Sequence, residues 1–144
     1  MNRKIYLGSD HGGFELKEKL VGYLISQGYD VVDLGTRSTD SVNYPEFGRK
    51  VAEHVLKDGC MGVIVCGTGL GISIAANRIK GIRAALCHSV EYAKLAREHN
   101  NANILALGGR FTEDILAFDI LDTFLETNFE GGRHQARVDD IDNV

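Results

Sequence analysis

The chain has little cysteine, no excess of positive charge and no long apolar run, and each shortage removes a class of protein. Its three cysteines, Cys60, Cys66 and Cys87, are odd in number and nowhere spaced Cys-x-x-Cys. Neither a disulfide framework nor a zinc site is therefore expected, and a reducing, cytoplasmic setting fits best. Lys and Arg together number 16 against 20 Asp and Glu. With net charge -4 and the signs interspersed, no basic stripe for nucleic acid or an anionic membrane is present. The N-terminus enters the strand-like Lys4-Ile5-Tyr6-Leu7 directly, so neither a signal peptide nor a membrane span is expected. At 144 residues, 1-144 reads as one domain that buries roughly 70% of its unfolded surface, enough for a core without staples.

What is present is one unusual stretch, Val63-Ile64-Val65-Cys66-Gly67-Thr68-Gly69-Leu70-Gly71-Ile72-Ser73. A β-branched run that ends in a thiol and three alternating glycines reads as a buried strand feeding a tight loop. If residues Gly71 to Arg78 then form a helix, backbone N–H groups converge beside Cys66 with the positive end of the helix dipole behind them. Such a site attracts an anion and is expected to depress the thiol pKa. The plainer alternative is a buried Cys followed by an ordinary turn. Several familiar motifs fail here. A dinucleotide fingerprint needs Gly where Ile72 stands, a P-loop needs Gly-Lys-Ser/Thr, and a phosphatase-type cysteine loop needs Arg at Ile72. An anion-binding loop beside a nucleophilic or basic thiol survives.

Read in order, Lys4 to Gly8 is the first strand, ending at Ser9-Asp10-His11-Gly12-Gly13. Phe14 to Gln27 forms a helix with Leu16, Leu20, Tyr23 and Leu24 on one stripe and Gly28 as its stop. Asp30 to Leu34 is strand two, Gly35 to Asn43 a loop, and Tyr44-Pro45 opens a helix whose Phe47, Val51 and Val55 face inward through about Lys57. After the Cys66 loop, Ile82 to Cys87 is strand four, and Ser89 caps a helix over Val90 to His99. Asn103 to Leu107 is strand five and Gly108-Gly109-Arg110 a turn; Thr112 caps a helix that buries Ile115, Phe118, Leu121 and Leu125. The alternation gives an α/β fold: a doubly wound, parallel, five-stranded sheet, a Rossmann-like three-layer sandwich in flavodoxin-like order. In such folds ligands bind beyond the carboxyl ends of the strands, where Asp10, His11, Cys66, Thr68, His88 and Arg110 fall.

The tail, Asn128 to Val144, leaves the core pattern. Arg133 and Arg137 share a helical face at i, i+4, either as a solvated surface balanced by Asp139, Asp140 and Asp142 or as a fork for phosphate. The tail is expected to reach a partner subunit rather than its own sheet.

Five ordered runs together resemble the ribose-5-phosphate isomerase B family, with its allose- and galactose-6-phosphate isomerase relatives: Gly8 to Phe14, Asn43-Tyr44-Pro45, Cys66 to Asn77, Arg97-Glu98-His99-Asn100, and Glu130-Gly131-Gly132-Arg133-His134. The resemblance implies an aldose-ketose isomerase that works through an enediol or enediolate without metal or organic cofactor. It implies Cys66 as the base between C1 and C2, since Ile72 stands where some members carry a carboxylate. His99 would open the sugar ring with Asp10 and His11 beside it, and Thr68 would join Cys66, His99 and Asp10 in the catalytic set. Gly67, Thr68, Gly69, Leu70 and Gly71 would hold the enediolate oxygens, with Tyr44, Ser73 and Asn100 around the sugar. Arg110, Arg133 and Arg137 would hold phosphate, with His134 assisting. It further implies a homodimer with shared sites, a tetramer being the alternative, acting on a small sugar phosphate. Ribose 5-phosphate and ribulose 5-phosphate are the expected pair; a six-carbon sugar phosphate and a non-catalytic phosphosugar-sensing module are the other readings. Outside the resemblance, Asp10 and His11 read equally as caps of the following helix and His99 as a surface C-cap.

Overall fold

The computed structural model describes residues 3–144 and orders them as alternating strands and helices. Strand β1 (Lys4–Ser9) ends in a single 3-10 turn (His11–Gly13) and α1 (Phe14–Ser26); β2 (Asp30–Asp33) leads through a loop to α2 (Tyr44–Asp58). Then follow β3 (Met61–Cys66), α3 (Leu70–Asn77), β4 (Ala84–Leu86), α4 (Val90–Asn100), β5 (Ile104–Gly108), α5 (Asp114–Glu126) and α6 (Arg133–Ile141). Local chemistry sets the boundaries. Pro45 occupies the first turn of α2, where its missing N–H costs nothing, and Gly59 ends that helix in the left-handed conformation at φ 63°. The Ser89 hydroxyl accepts the Tyr92 N–H at 3.2 Å and so starts α4. Among the described residues, no helix is long and apolar enough to cross a membrane.

The strands pair in parallel, in the order β2-β1-β3-β5-β4. The period of two along each strand divides the core. Ile5, Leu7, Val63, Val65, Leu105 and Leu107 pack with α1, α4 and α5 on one face. Tyr6, Ile64, Cys66, Ile104 and Ala106 pack with α2 and α3 on the other. The chain leaves β1 toward β2 over the first face and leaves β3 toward β4 over the second. The direction of winding thus reverses between β1 and β3, and a crevice opens at their carboxyl ends.

The doubly wound parallel sheet is as the sequence implies, but four details differ. In flavodoxin order β4 would sit beside β3; instead β5 takes that place and β4 the edge. Ile104–Gly108 is buried throughout, whereas Ala84–Leu86 is only partly covered, so the more apolar strand occupies the centre. Strand four is correspondingly shorter than the Ile82 to Cys87 expected. Thr112 does not cap α5: it is drawn inside, and Glu113 takes the cap position without a side-chain bond. The helix consequently starts later and buries Ala117, Ile120, Leu121 and Phe124, leaving Ile115 exposed, while Phe118 and Leu125 lie at the margin. Fully burying a side chain of this size contributes about 1.5–3 kcal/mol, so a helix set one position off would lose most of its anchoring. Ile120→Ala is expected to lower unfolding free energy by about 2–5 kcal/mol, measured as a fall in the urea midpoint. An unchanged midpoint would refute the phase assigned to α5.

Candidate active site

Cys66 is the last residue of β3, opposite Gly108 on β5, and its side chain belongs to the α2–α3 face. The next residues turn sharply because Gly69 adopts φ 79°, which an L side chain rarely does. That turn brings the Gly69 N–H to 3.1 Å from the Cys66 sulfur, a buried hydrogen bond from the same loop that leads into α3. A Cβ on Gly69 would also lie 2.8 Å from the Leu107 backbone carbon. The other two loop glycines are bare for a different reason. Arg110 lies against Gly67, its Nη1 2.8 Å from where a Cβ would stand, and the Tyr44 ring covers Gly71 at 2.5 Å from the equivalent point. A guanidinium and a phenol thus flank the thiol loop.

Backbone bonds fix the surroundings. Gly109 N–H donates to Cys66 O at 2.8 Å and Arg110 N–H to Gly67 O at 3.0 Å, so the turn after β5 is strapped to the thiol loop. Asp10 N–H donates to Val65 O at 3.2 Å, and the buried Asp10 carboxylate accepts the Gly13 N–H at 3.0 Å, which makes it the cap of the 3-10 turn. His11 Nδ1 accepts the Val42 N–H at 3.1 Å, which in a neutral ring places the proton on Nε2. Thr68 Oγ1 accepts the Leu70 N–H at 3.1 Å, and Ser73 Oγ donates to Leu70 O at 2.8 Å. Both hydroxyls therefore shape the start of α3, Thr68 exposed and Ser73 buried. Ile72 is sealed in the core and supplies no functional group.

The remaining candidates form a second group. Helix α4 begins beside the carboxyl ends of the strands and runs 11 residues, about 16 Å, to the amino ends. His99 and Asn100 lie there: Arg83, the residue before β4, donates through Nε to Asn100 O at 3.1 Å. Against this end packs α6, with His134 and Val138 buried and Arg133 and Arg137 exposed. The His134 ring stacks on His99 at 4.2 Å between centroids and 15° between planes. The tail packs on α4 of its own chain and keeps its arginines outward. Burial, aided by His99 and Arg133, holds His134 below the usual imidazole range.

One copy of the chain thus brings Cys66, Asp10, His11, Tyr44, Arg110 and the glycine loop together, and His99, Asn100, Arg133, His134 and Arg137 together, at opposite ends of the sheet. Sequence reasoning missed Glu130, whose Oε1 lies 3.3 Å from His134 Nε2 and 3.9 Å from His99 Nε2. Its i, i+4 spacing to His134 was the available signal. Its backbone is held in place, since Glu130 N–H donates to Glu98 O at 3.1 Å and Arg97 Nε to Thr127 O at 3.1 Å. These three side chains form a group that could hold a metal ion, their ligand atoms all within 4.8 Å of one another.

Residues 5–141 match the model of a family described as Ribose/Galactose Isomerase. Over 142 residues the chain is 46% identical to ribose-5-phosphate isomerase B of Escherichia coli, covering 96% of this chain and 94% of that protein. Its fold is similar to the solved ribose-5-phosphate isomerase B of Clostridium thermocellum, with TM-score 0.96 and 54% identity over 97% of this chain and 95% of that one. It is also similar to the Mycoplasma genitalium enzyme solved with bound ribulose 5-phosphate, with TM-score 0.93 and 45% identity over 97% and 94% of the two chains.

All three cysteines are free and buried, yet their settings differ. Burial pushes the Cys87 thiol up to about 11 and also raises Cys60, with Asp58 adding to the latter. A thiol raised from about 9 to about 11 keeps its proton where the unfolded chain loses it. Its stabilising contribution is complete below pH 9 and lost as pH rises through 11. Iodoacetamide at pH 8 is accordingly expected to label Cys66 first, read by peptide mass mapping; equal labelling of Cys60 or Cys87 would contradict the setting assigned to the thiol loop.

Proposed function

The chain belongs to the ribose/galactose isomerase family, and on that premise we propose that it interconverts D-ribose 5-phosphate and D-ribulose 5-phosphate by proton transfer between C1 and C2. The observation that carries this reading is Cys66 at the β1/β3 crevice, hydrogen-bonded by Gly69 N–H and flanked by Arg110. As thiolate, Cys66 takes the C2 proton of the open-chain aldose. The electron pair left behind forms the C1–C2 double bond, and the C1 oxygen becomes an enediolate oxygen. The hydroxyl proton on O2 passes to O1, and return of the carbon proton to C1 then leaves a hydroxyl at C1 and the carbonyl at C2.

Each part of the loop meets a need of that reaction. Of the main-chain N–H groups from Gly67 to Gly71, at the amino end of α3, those not given to the Cys66 sulfur or to Thr68 Oγ1 are suited to charge that develops on oxygen during enediolate formation. Thr68, Leu70 and Ser73 keep those groups in line. General acid-base groups give about 10² to 10⁴ in rate and an oxyanion donor about 10² to 10³. Their product, on the order of 10⁴ to 10⁷, barely enters the enzymatic range, so positioning by a remote phosphate must supply the rest. Arg110, with Arg133, Arg137 and His134, is suited to that anchor.

Ring opening needs a proton donor at the ring oxygen, the role assigned to His99, with Asp10, His11, Tyr44 and Asn100 around the sugar. Because His99 and Cys66 lie at opposite ends of one sheet, the working site joins the Cys66 group of one copy to the His99 group of another. A homodimer of this kind closes two identical sites by symmetry. Leu70 and Ile74 on α3, Tyr92 on the first turn of α4, Phe111 in the turn before α5 and Ile115 on the first turn of α5, all more than half exposed, offer apolar surface at the end that the second copy would cover. The free cysteines suit a reducing, cytoplasmic setting.

Cys66→Ala is expected to abolish turnover while retaining sugar-phosphate binding by calorimetry; substantial residual turnover would remove Cys66 as the base. Mixing inactive Cys66→Ala with inactive Arg137→Ala, an exposed position safe for folding, should restore up to about a quarter of wild-type activity through mixed dimers. No recovery despite demonstrated subunit exchange would argue for self-contained sites.

A further inference from the structure

We propose that His99, Glu130 and His134 form a binding site for a divalent transition-metal ion of the zinc type, and that an ion held there inhibits the isomerase. Binding stands on the geometry alone; inhibition rests on the ring-opening role proposed above for His99.

The donor set is two imidazole nitrogens and one carboxylate oxygen, the combination that leaves a fourth position open on a tetrahedral ion. Bonds of about 2.0–2.1 Å place two ligand atoms on one such ion about 3.3–3.4 Å apart. His134 Nε2 and Glu130 Oε1 already stand at 3.3 Å, and His99 Nε2 is 3.9 Å from the same oxygen. More telling is His134 itself. Its ring is more than nine-tenths buried, and among the described residues Nε2 has no hydrogen-bond partner, although the Glu130 carboxylate stands 3.3 Å away. A buried nitrogen without a partner is costly, and a metal ion between it and Glu130 would satisfy it.

One adjustment is required. A ligated metal lies near the plane of each imidazole, whereas these rings are stacked, so one must turn. His99 is free to do so: its side chain is 38% exposed, against 8% for His134. The Glu130 backbone stays fixed by its bond to Glu98 O. Arg133 and Arg137 on the same helix disfavour a dication, so selection falls to the nitrogen donors. Zinc, cobalt and nickel are favoured and magnesium and calcium are not. Once turned onto an ion through Nε2, His99 can no longer offer that nitrogen to the sugar ring.

Titration of the metal-free wild-type protein with Co²⁺ tests the site without reference to activity. One equivalent per chain is expected to give the visible absorption of tetrahedral cobalt, with binding weakened about ten-fold or more in Glu130→Gln and unchanged in Cys66→Ser. Glu130 is exposed, so its variant should fold as the wild type does. Lack of an absorption change at millimolar cobalt, or equal affinity in Glu130→Gln, would overturn the site. So would a near-ultraviolet sulfur-to-cobalt band that disappears in Cys66→Ser. Zn²⁺ should inhibit isomerisation in the wild type, reversibly on chelation, and at about ten-fold higher concentration in Glu130→Gln. Cobalt binding without zinc inhibition would overturn the second half of the proposal. If the chain proved to lack isomerase activity, the cobalt titration would still decide the first half.

Discussion

The hydrogen bond from Gly69 N–H to the Cys66 sulfur depends on a chain of steric conditions that reaches across the sheet. It requires the left-handed backbone at Gly69, and Gly69 has no room for a side chain because Leu107 and Leu86 close on it. Leu107 is there only because β5, not β4, is the neighbour of β3. The same neighbour supplies Gly108 and Gly109, which let the next turn approach Cys66 closely enough for two backbone bonds, and Arg110, which lies on Gly67. Had the strands followed flavodoxin order, Leu86-Cys87-His88 would border the thiol instead, with no guanidinium beside the loop. Strand order, a question of which strand is the more apolar, therefore decides the chemistry beside the sulfur.

The same topology separates the two halves of the proposed machinery. Parallel strands force each connecting helix to run back to the amino ends, so α4 carries a group at its end about 16 Å back from the carboxyl ends, where α3 starts. A site that uses both Cys66 and His99, as proposed, has one economical geometry on this fold, in which the far end of one copy meets the near end of another. On the proposed reading, the packing of α6 does more than cover α4. It presents Arg133 and Arg137 outward while anchoring itself through His134 and Val138, so a single short helix is rigid on its own subunit and available to another.

Much of this is legible in the sequence. Period-two and period-3.6 patterns mark every element, and the Val63 to Ser73 stretch marks the thiol loop, because alternate glycines directly after a buried strand leave the backbone bare for close approach. Three things are not legible. The phase of α5 escapes the pattern because Ile115, Phe118, Leu121 and Leu125 make as good a stripe as the buried set; only the route of the turn after β5, which draws Thr112 inside, chooses between them. The exchange of β4 and β5 is a contest between strands that local propensity does not settle. Glu130 lies inside a recognisable run but gains meaning only when α6 folds back and stacks His134 on His99.

The crevice is also braced from beneath by a charge network that adds precision more than stability. Lys17, fully buried on α1, places its ammonium 2.8 Å from both Asp33 and Glu18. Asp33 in turn accepts the Gly35 N–H at 2.9 Å, and Gly35 O accepts the Ser9 N–H at 2.7 Å, while Thr36 N–H donates to Ser9 O at 2.8 Å. A buried ammonium is expensive to desolvate, and a hydrophobic residue of similar size would often serve stability as well. What the ion pair supplies is direction: it ties the end of β2 to the end of β1 at the residue before Asp10. The proposed reaction needs its groups held to within a fraction of an ångström, and this relay, together with the Val65 carbonyl, fixes the Asp10 backbone from the side of the core. The buried charge is therefore best understood as part of the site's foundation, giving up stability for the placement of one carboxylate.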